Sequence, residues 1–283
     1  MNFRLGCAVW AYKGWLGDLF PPGSRNRDFL SLYSRRFTAV EGNTTFYAVP
    51  DAATLDRWAS ETPDGFEFCL KLPRYLTHEG SIEPKIDATR EFLQHVARLG
   101  DKLGPVFVQL PPNYTPEAFE DLEAFLHGRF PDVRLALEVR HRDWFREPHV
   151  RRLDELLRES NVARVILDTR PVYSTDDDPQ RRSQRRKPKL PLHPVVTTDF
   201  SFVRFITHPD GEVNVPFSEA WVERLDEWIS QGTRVYFFVH CPIEDYSPRT
   251  ARSIQRLLEK RGVPVAPLPW DSIDEPPMQL SLF

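Results

Sequence analysis

The chain has 283 residues, 41% hydrophobic, 12% aromatic and 28% charged, with no run near the roughly 18 apolar residues that a membrane helix needs, which excludes membrane, collagen-like and disordered classes. Lys plus Arg number 37 against 41 Asp plus Glu, a net charge of −4, so no global cationic field draws the chain to nucleic acid or lipid, and any such affinity has to be local. Cys7, Cys69 and Cys241 stand far apart without a CxxC pair, and the amino terminus lacks a long apolar stretch; a reducing compartment and a cytoplasmic location are the expectation.

In chain order, short β-rich runs fall at 4–10, 38–46, 66–72, 105–110, 134–140, 163–168, 202–207 and 234–239. Helical patterns lie between them. Thr115-Pro116-Glu117 starts one and Gly128 stops it; Ser218 starts another that carries Trp221, Leu225 and Trp228 at core spacing; Gly262 closes the last. This alternation predicts an α/β fold, a single (β/α)8 TIM-type barrel, although a doubly wound sheet shares the pattern.

Two segments break the rhythm. A loop insertion at about 174–194 holds Asp176, Asp177 and Asp178, then six basic residues within Arg181 to Lys189, then Pro188, Pro191 and Pro194. After Gly262 a Pro-rich tail, 263–283, carries Pro264, Pro267, Pro269, Pro276 and Pro277 and ends in Gln279-Leu280-Ser281-Leu282-Phe283. The domain reading is therefore a barrel over 1–262 and a tail over 263–283. The 26 prolines against 13 glycines, an inversion of ordinary usage, concentrate in these connections.

Side chains alternate along a strand, so one parity faces the interior. In Leu135-Ala136-Leu137-Glu138-Val139-Arg140 the apolar members suit the helix side, which sends Glu138 and Arg140 inward. The same logic selects Glu41, Asn43, Lys71, Gln109, Asp168, Arg204 and His240, all near the strand ends where barrel enzymes build their sites. Three acids (Glu41, Glu138, Asp168) match three bases (Lys71, Arg140, Arg204), so they either pair off to hold the barrel together or form a polar floor for an organic anion or phosphate. The loops add His78 and Trp144 as ligand-contact candidates. Trp10, Tyr12, Trp15 and Trp144 either wall a pocket or pack in the core, whereas Trp58, Trp221 and Trp228 read as packing.

Several spaced motifs resemble one family: Ala-Val-Trp-Ala-Tyr-Lys-Gly-Trp at 8–15, Val-Glu-Gly-Asn-Thr-Thr-Phe-Tyr at 40–47, Trp58 with Thr-Pro-Asp-Gly-Phe-Glu-Phe at 62–68, Lys71, Thr77-His78, Gln-Leu-Pro-Pro at 109–112 and Leu-Glu-Val-Arg-His at 137–141. The chain is similar to the YecE-like family, domain of unknown function 72, to about residue 260. The resemblance implies a (β/α)8 barrel and no settled reaction. Two departures stand out: Gly42 where many members have Ile or Leu, and Phe237-Phe238-Val239-His240-Cys241-Pro242 in place of Phe-Asn-Asn.

The final pentapeptide resembles the peptide by which bacterial proteins dock on the replicative sliding clamp, with Gln279, Leu280, Leu282 and Phe283 as contacts; folding back onto its own barrel is the alternative. Three functional readings follow. The first is an enzyme, a hydrolase or lyase of phosphate-containing substrates (a nucleotide or DNA among them), with Glu138 as acid or base, Glu41 or Asp168 assisting, and Lys71, Arg140 and Arg204 holding the anion. The second is a non-catalytic, clamp-associated or ligand-binding accessory protein. The third is a metal-dependent hydrolase or isomerase with Glu41, Glu138, Asp168 and His240 around a divalent ion. No other cofactor and no membrane partner is expected.

Overall fold

Each β-rich run forms a parallel strand: β1 Phe3–Cys7, β2 Ala39–Gly42, β3 Glu67–Leu70, β4 Val106–Gln109, β5 Leu135–Glu138, β6 Ala163–Asp168, β7 Phe200–Ile206 and β8 Arg234–His240. The computed structural model describes residues 2–128, 130, 133–175 and 187–272. Within them the strands make a six-stranded sheet, in the order β1-β8-β7-β6-β5-β4, and a two-stranded sheet, β2-β3. The fold is α/β with a curled parallel sheet, and the ladder does not run unbroken around eight strands as the alternation predicts.

The two sheets meet at two seams. At the first, the Thr38 amide donates to the Leu5 carbonyl at 3.2 Å and the Leu5 amide to Thr38 Oγ1 at 2.9 Å. At the second, the Gly104 amide donates to the Phe68 carbonyl and the Leu72 amide to the Phe107 carbonyl, both at 3.0 Å. The first seam depends on Gly6, where a Cβ would stand 2.0 Å from the Ala39 carbonyl oxygen.

Besides a single turn at Arg74–Thr77, the α-helices are α1 Phe29–Ser34, α2 Ala52–Glu61, α3 Ile86–Val96, α4 Phe119–His127, α5 His149–Glu159, α6 Gly211–Ser230 and α7 Ser247–Arg261. Gly262 ends α7 at φ 80°, a left-handed conformation that glycine adopts without strain. Two boundaries differ from expectation. Helix α6 begins at Gly211 rather than Ser218, because Asp210 accepts from the Glu212 amide at 3.0 Å and caps the end; Pro216 lies inside the helix and disguises its start. The second run stops at Gly42, after which Asn43–Phe46 turns helically.

Alternation sorts the strands into two apolar layers. Leu5, Val40, Val108, Leu137, Val203 and Phe237 face outward and pack with Trp58, Leu122, Leu153, Trp221 and Trp228 from the helices, as the spacing of those tryptophans predicts. Ala39, Cys69, Phe107, Ala136, Phe202, Tyr236 and Phe238 face inward and pack on one another. Below this inner layer Glu67 accepts from Arg4 Nε at 2.7 Å, Arg134 Nη2 at 3.1 Å, Tyr236 Oη at 2.7 Å and from Arg234. No helix among the described residues is long and apolar enough to cross a membrane. Asp176, Asp177, Asp178, the basic stretch 181–186 and the pentapeptide ending at Phe283 lie outside the described residues.

The seam at Gly6 is open to a direct check. Gly6→Ala forces the two sheets apart and is expected to cost about 1–3 kcal/mol in urea unfolding; an unchanged midpoint contradicts the close approach.

Candidate functional site

The inward parity of β2, β5 and β7 places Glu41, Glu138 and Arg204 at the carboxyl ends of their strands. All three are buried, Glu41 at 0% and Arg204 at 2% exposure. Arg204 donates from Nε and Nη2 to the two oxygens of Glu41, at 2.8 and 2.7 Å, and from Nη1 to Glu138 Oε2 at 2.5 Å. Three further groups join the network: Arg140 Nε donates to Glu138 Oε1 at 2.6 Å, Asn43 Nδ2 to Glu41 Oε1 at 2.6 Å, and His240 Nε2 lies 3.0 Å from Glu41 Oε2.

Burial alone would raise both carboxyls, but the Arg204 guanidinium outweighs it. Glu41 is held well below the usual range by Arg204 and then His240, and Glu138 is brought down to about 2 by Arg204 and then Arg140. Both are therefore carboxylates at any physiological pH, already committed to guanidinium partners.

Above this network opens a cavity of about 560 Å³, within the range of small-molecule sites. Lys71, Arg74 and His78 line it from the segment after β3, Gln109 from β4, and Arg140 from beyond β5. Lys187, Arg204 and His240 complete the polar wall, with Asn43, Phe46 and Tyr47 opposite. No carboxylate is among the described lining residues. The side chain of Lys71, a residue only 6% exposed, makes no hydrogen bond or ion pair among the described residues; its Nζ stands 3.7 Å from the centre of the Phe46 ring. Gln109, 5% exposed, likewise faces the cavity with its amide unpartnered among the described residues. Burial, then Arg204, lowers Lys71 to about 7, with Glu138 opposing and Arg140 adding. Burial, then Arg204, also lowers Lys187 to about 8. Burial pushes His78 and His240 down to about 4, so both imidazoles are neutral near pH 7.

Glu41, Asn43, Lys71, His78, Gln109, Glu138, Arg140, Arg204 and His240 are thus brought together. Two candidates are not. Asp168 turns to Arg170, at 2.9 Å, and to the Trp221 indole N–H, at 2.8 Å, and does not line the cavity. Trp144 is buried in the outer core with its indole donating to the Tyr114 carbonyl at 2.8 Å. Trp15 is also core, and Trp10 packs on Trp58 and Phe68. The grouping of Glu41, Glu138, Asp168 and His240 around one ion fails on geometry, since Arg204 lies between the glutamates and Asp168 faces away; the described residues place no three His, Cys, Asp or Glu side chains together so as to hold a metal ion. Parity also misses Phe46, Tyr47 and Arg74, which sit in or beside the short helical segments Asn43–Phe46 and Arg74–Thr77 after strands, where alternation no longer applies. At Gly42 a Cβ would meet Leu70 Cδ2 at 2.6 Å, so Leu70 fills the room that a larger residue there would need.

A larger cavity, about 1360 Å³, lies at the amino ends of the strands. It mixes Glu67, Asp101, Glu159 and Asp199 with Arg4, Arg134 and Arg234, and Glu67 is already fully engaged there, so size alone does not make it the better candidate.

A model of the family described as "Protein of unknown function DUF72" matches residues 4–272. The chain is 33% identical over 282 residues to the UPF0759 protein YecE of Escherichia coli (strain K12), covering 99% of each. Among solved structures it is similar to a DUF72 family protein from Thermotoga maritima, with a TM-score of 0.67 and 21% identity over 92% of this chain and 100% of that one. A DUF72 family protein from Enterococcus faecalis gives a TM-score of 0.66 and 20% identity over 91% and 97%.

The network makes a prediction about pH. Arg204→Met strands two buried carboxylates and is expected to cost about 3–5 kcal/mol at pH 7. In the parent protein the folded carboxyls titrate below their unfolded values, so their stabilisation is full above about pH 4.5 and is lost as pH falls toward 2. The deficit of the variant should therefore shrink on acidification, when its stranded carboxyls protonate; a pH-independent deficit contradicts the assignment.

Proposed function

The chain belongs to the DUF72 family, and we propose that its two sheets act together as one (β/α)8 barrel whose mouth is the active site of an enzyme for a small anionic or phosphorylated substrate. One observation carries this: every ionised side chain lining the cavity, among the described residues, is a cation. An anion entering it meets Lys71, Arg74 and Lys187, which have no carboxylate partner among the described residues, and Arg140, whose Nε is held by Glu138. Guanidinium groups suit phosphate or carboxylate because their paired N–H donors match its oxygens.

The carboxylates take a different part from that suggested by their residue type. Glu41 and Glu138 set the planes of Arg204 and Arg140, and a conjugate acid at about 2 makes Glu138 a poor proton donor near neutrality. Lys71, brought to about 7, is the better placed group to take or give a proton. Asn43, Gln109, His78 and His240 supply neutral hydrogen-bonding groups around the substrate. The chemistry class remains hydrolysis or elimination of a phosphate-containing compound, a nucleotide included.

A separable proposal concerns the end of the chain: Val263, Leu268 and Trp270 pack in the outer core, so the tail expected over 263–283 gives up its first part to the barrel, and the residues after Ser272, outside the described ones, are read as the tether for the pentapeptide Gln279–Phe283. Its apolar Leu280, Leu282 and Phe283, with Gln279 to orient them, suit docking on the bacterial sliding clamp. Deleting residues 279–283 should abolish retention on immobilised clamp, and equal retention of both forms contradicts it.

The mouth is tested by calorimetry with inorganic phosphate at pH 7. Arg140→Ala should weaken binding about tenfold or more, whereas Arg151→Ala, at an exposed pair remote from the mouth, should leave it unchanged. No binding by the parent protein, or equal binding by Arg140→Ala, refutes the reading.

A further inference from the structure

Lys71 is an unusual lysine. It closes the inward face after β3 at 6% exposure, lines the cavity, and has neither a carboxylate nor a hydrogen-bond acceptor within reach among the described residues. Its Nζ stands over the face of Phe46. A lysine whose task is to hold a structural ion pair is not built this way, because an unpaired buried ammonium costs several kcal/mol. A lysine used as a neutral nucleophile is, since burial and nearby cations both favour the free amine.

We infer that Lys71 is an imine-forming lysine whose Nζ adds to the carbonyl carbon of an aldehyde or ketone bearing a phosphate or carboxylate group. The inference rests on the anion site proposed above, since Arg140 and its neighbours would hold the charged end while Nζ meets the carbonyl. The Nζ lone pair forms the C–N bond as the carbonyl π pair moves to oxygen. A proton passes from nitrogen to that oxygen, giving a carbinolamine. Loss of the hydroxyl with the second amine proton leaves C=N and one water. Amine plus carbonyl gives imine plus water, and no oxidant or reductant is consumed. Gln109, 5% exposed and with its side-chain amide unpartnered among the described residues and opening on the same cavity, is available to donate to the carbonyl oxygen during addition.

The surroundings favour the neutral amine. Arg204 and Arg140 oppose a further positive charge, Glu138 and Glu41 are neutralised by those same guanidiniums, and His78 is neutral. Lys71 at about 7 offers free amine in about half the molecules at pH 7, whereas an ordinary lysine does so in roughly one in 2,500.

The probe is pyridoxal 5′-phosphate, an aldehyde carrying a phosphate, added below stoichiometry to the full chain at pH 7 and trapped with borohydride. Peptide mass spectrometry then locates the reduced adduct. Lys71 is expected to carry most of the label, inorganic phosphate to reduce that label at least fivefold, and Lys71→Arg to remove it. Label spread over other lysines with Lys71 unmodified overturns the inference. If calorimetry still detects phosphate in that case, the anion site stands and only the imine falls; if phosphate does not bind and does not protect, the anion site falls as well.

Discussion

Arg204 donates to Glu41 on one side and to Glu138 on the other, and much of the molecule's organisation follows from that placement. Glu41 belongs to the two-stranded sheet and Glu138 and Arg204 to the six-stranded sheet, so this buried triad ties the sheets together where the backbone ladder is interrupted. Two carboxylates and one guanidinium in a dry interior are tolerable only where hydrogen bonds replace the lost water. Asn43 and His240 bring Glu41 to four partner atoms, and Arg140 gives Glu138 a donor on its second oxygen.

The layers beneath sustain the triad. Arg204 lies over the Phe107 ring, 5.4 Å from its centre, and Phe107, Phe202 and Phe238 pack into an apolar plug below. Such a floor keeps water away and strengthens each ionic contact above it. It also fixes the electrostatics of the cavity. Glu41 and Glu138 are consumed by Arg204 and Arg140, and Lys71, Arg74 and Lys187 are left without an ion pair among the described residues. The positive cavity is therefore a consequence of how the interior is neutralised, in a chain whose net charge is negative.

Much of this was legible in the sequence. Strand positions followed from short β-rich runs, and parity sent Glu41, Lys71, Gln109, Glu138, Arg140, Arg204 and His240 to one end because the two-residue period is strict within a strand. Partner choice was not legible. Three acids and three bases looked balanced, but Asp168 leaves the set for Arg170 and Trp221, while Arg74 and Lys187 enter it from connecting segments. Residue type also misled: Glu138 has the chemistry of an acid or base, yet two guanidiniums remove that capacity, and the indole of Trp144 serves the core. The start of α6 was hidden because Pro216 suggests a boundary that the Asp210 cap has already made.

The central claim is that the triad leaves the cavity with unpaired positive charge, and Lys71 reports on it directly. Nitrogen-15 NMR titration of the Lys71 Nζ in the full chain, with assignment by Lys71→Arg, measures its midpoint with and without inorganic phosphate. The account predicts a midpoint near 7 in the free protein and a rise when phosphate binds beside it. A midpoint at the ordinary lysine value of about 10.4, unmoved by phosphate, contradicts it.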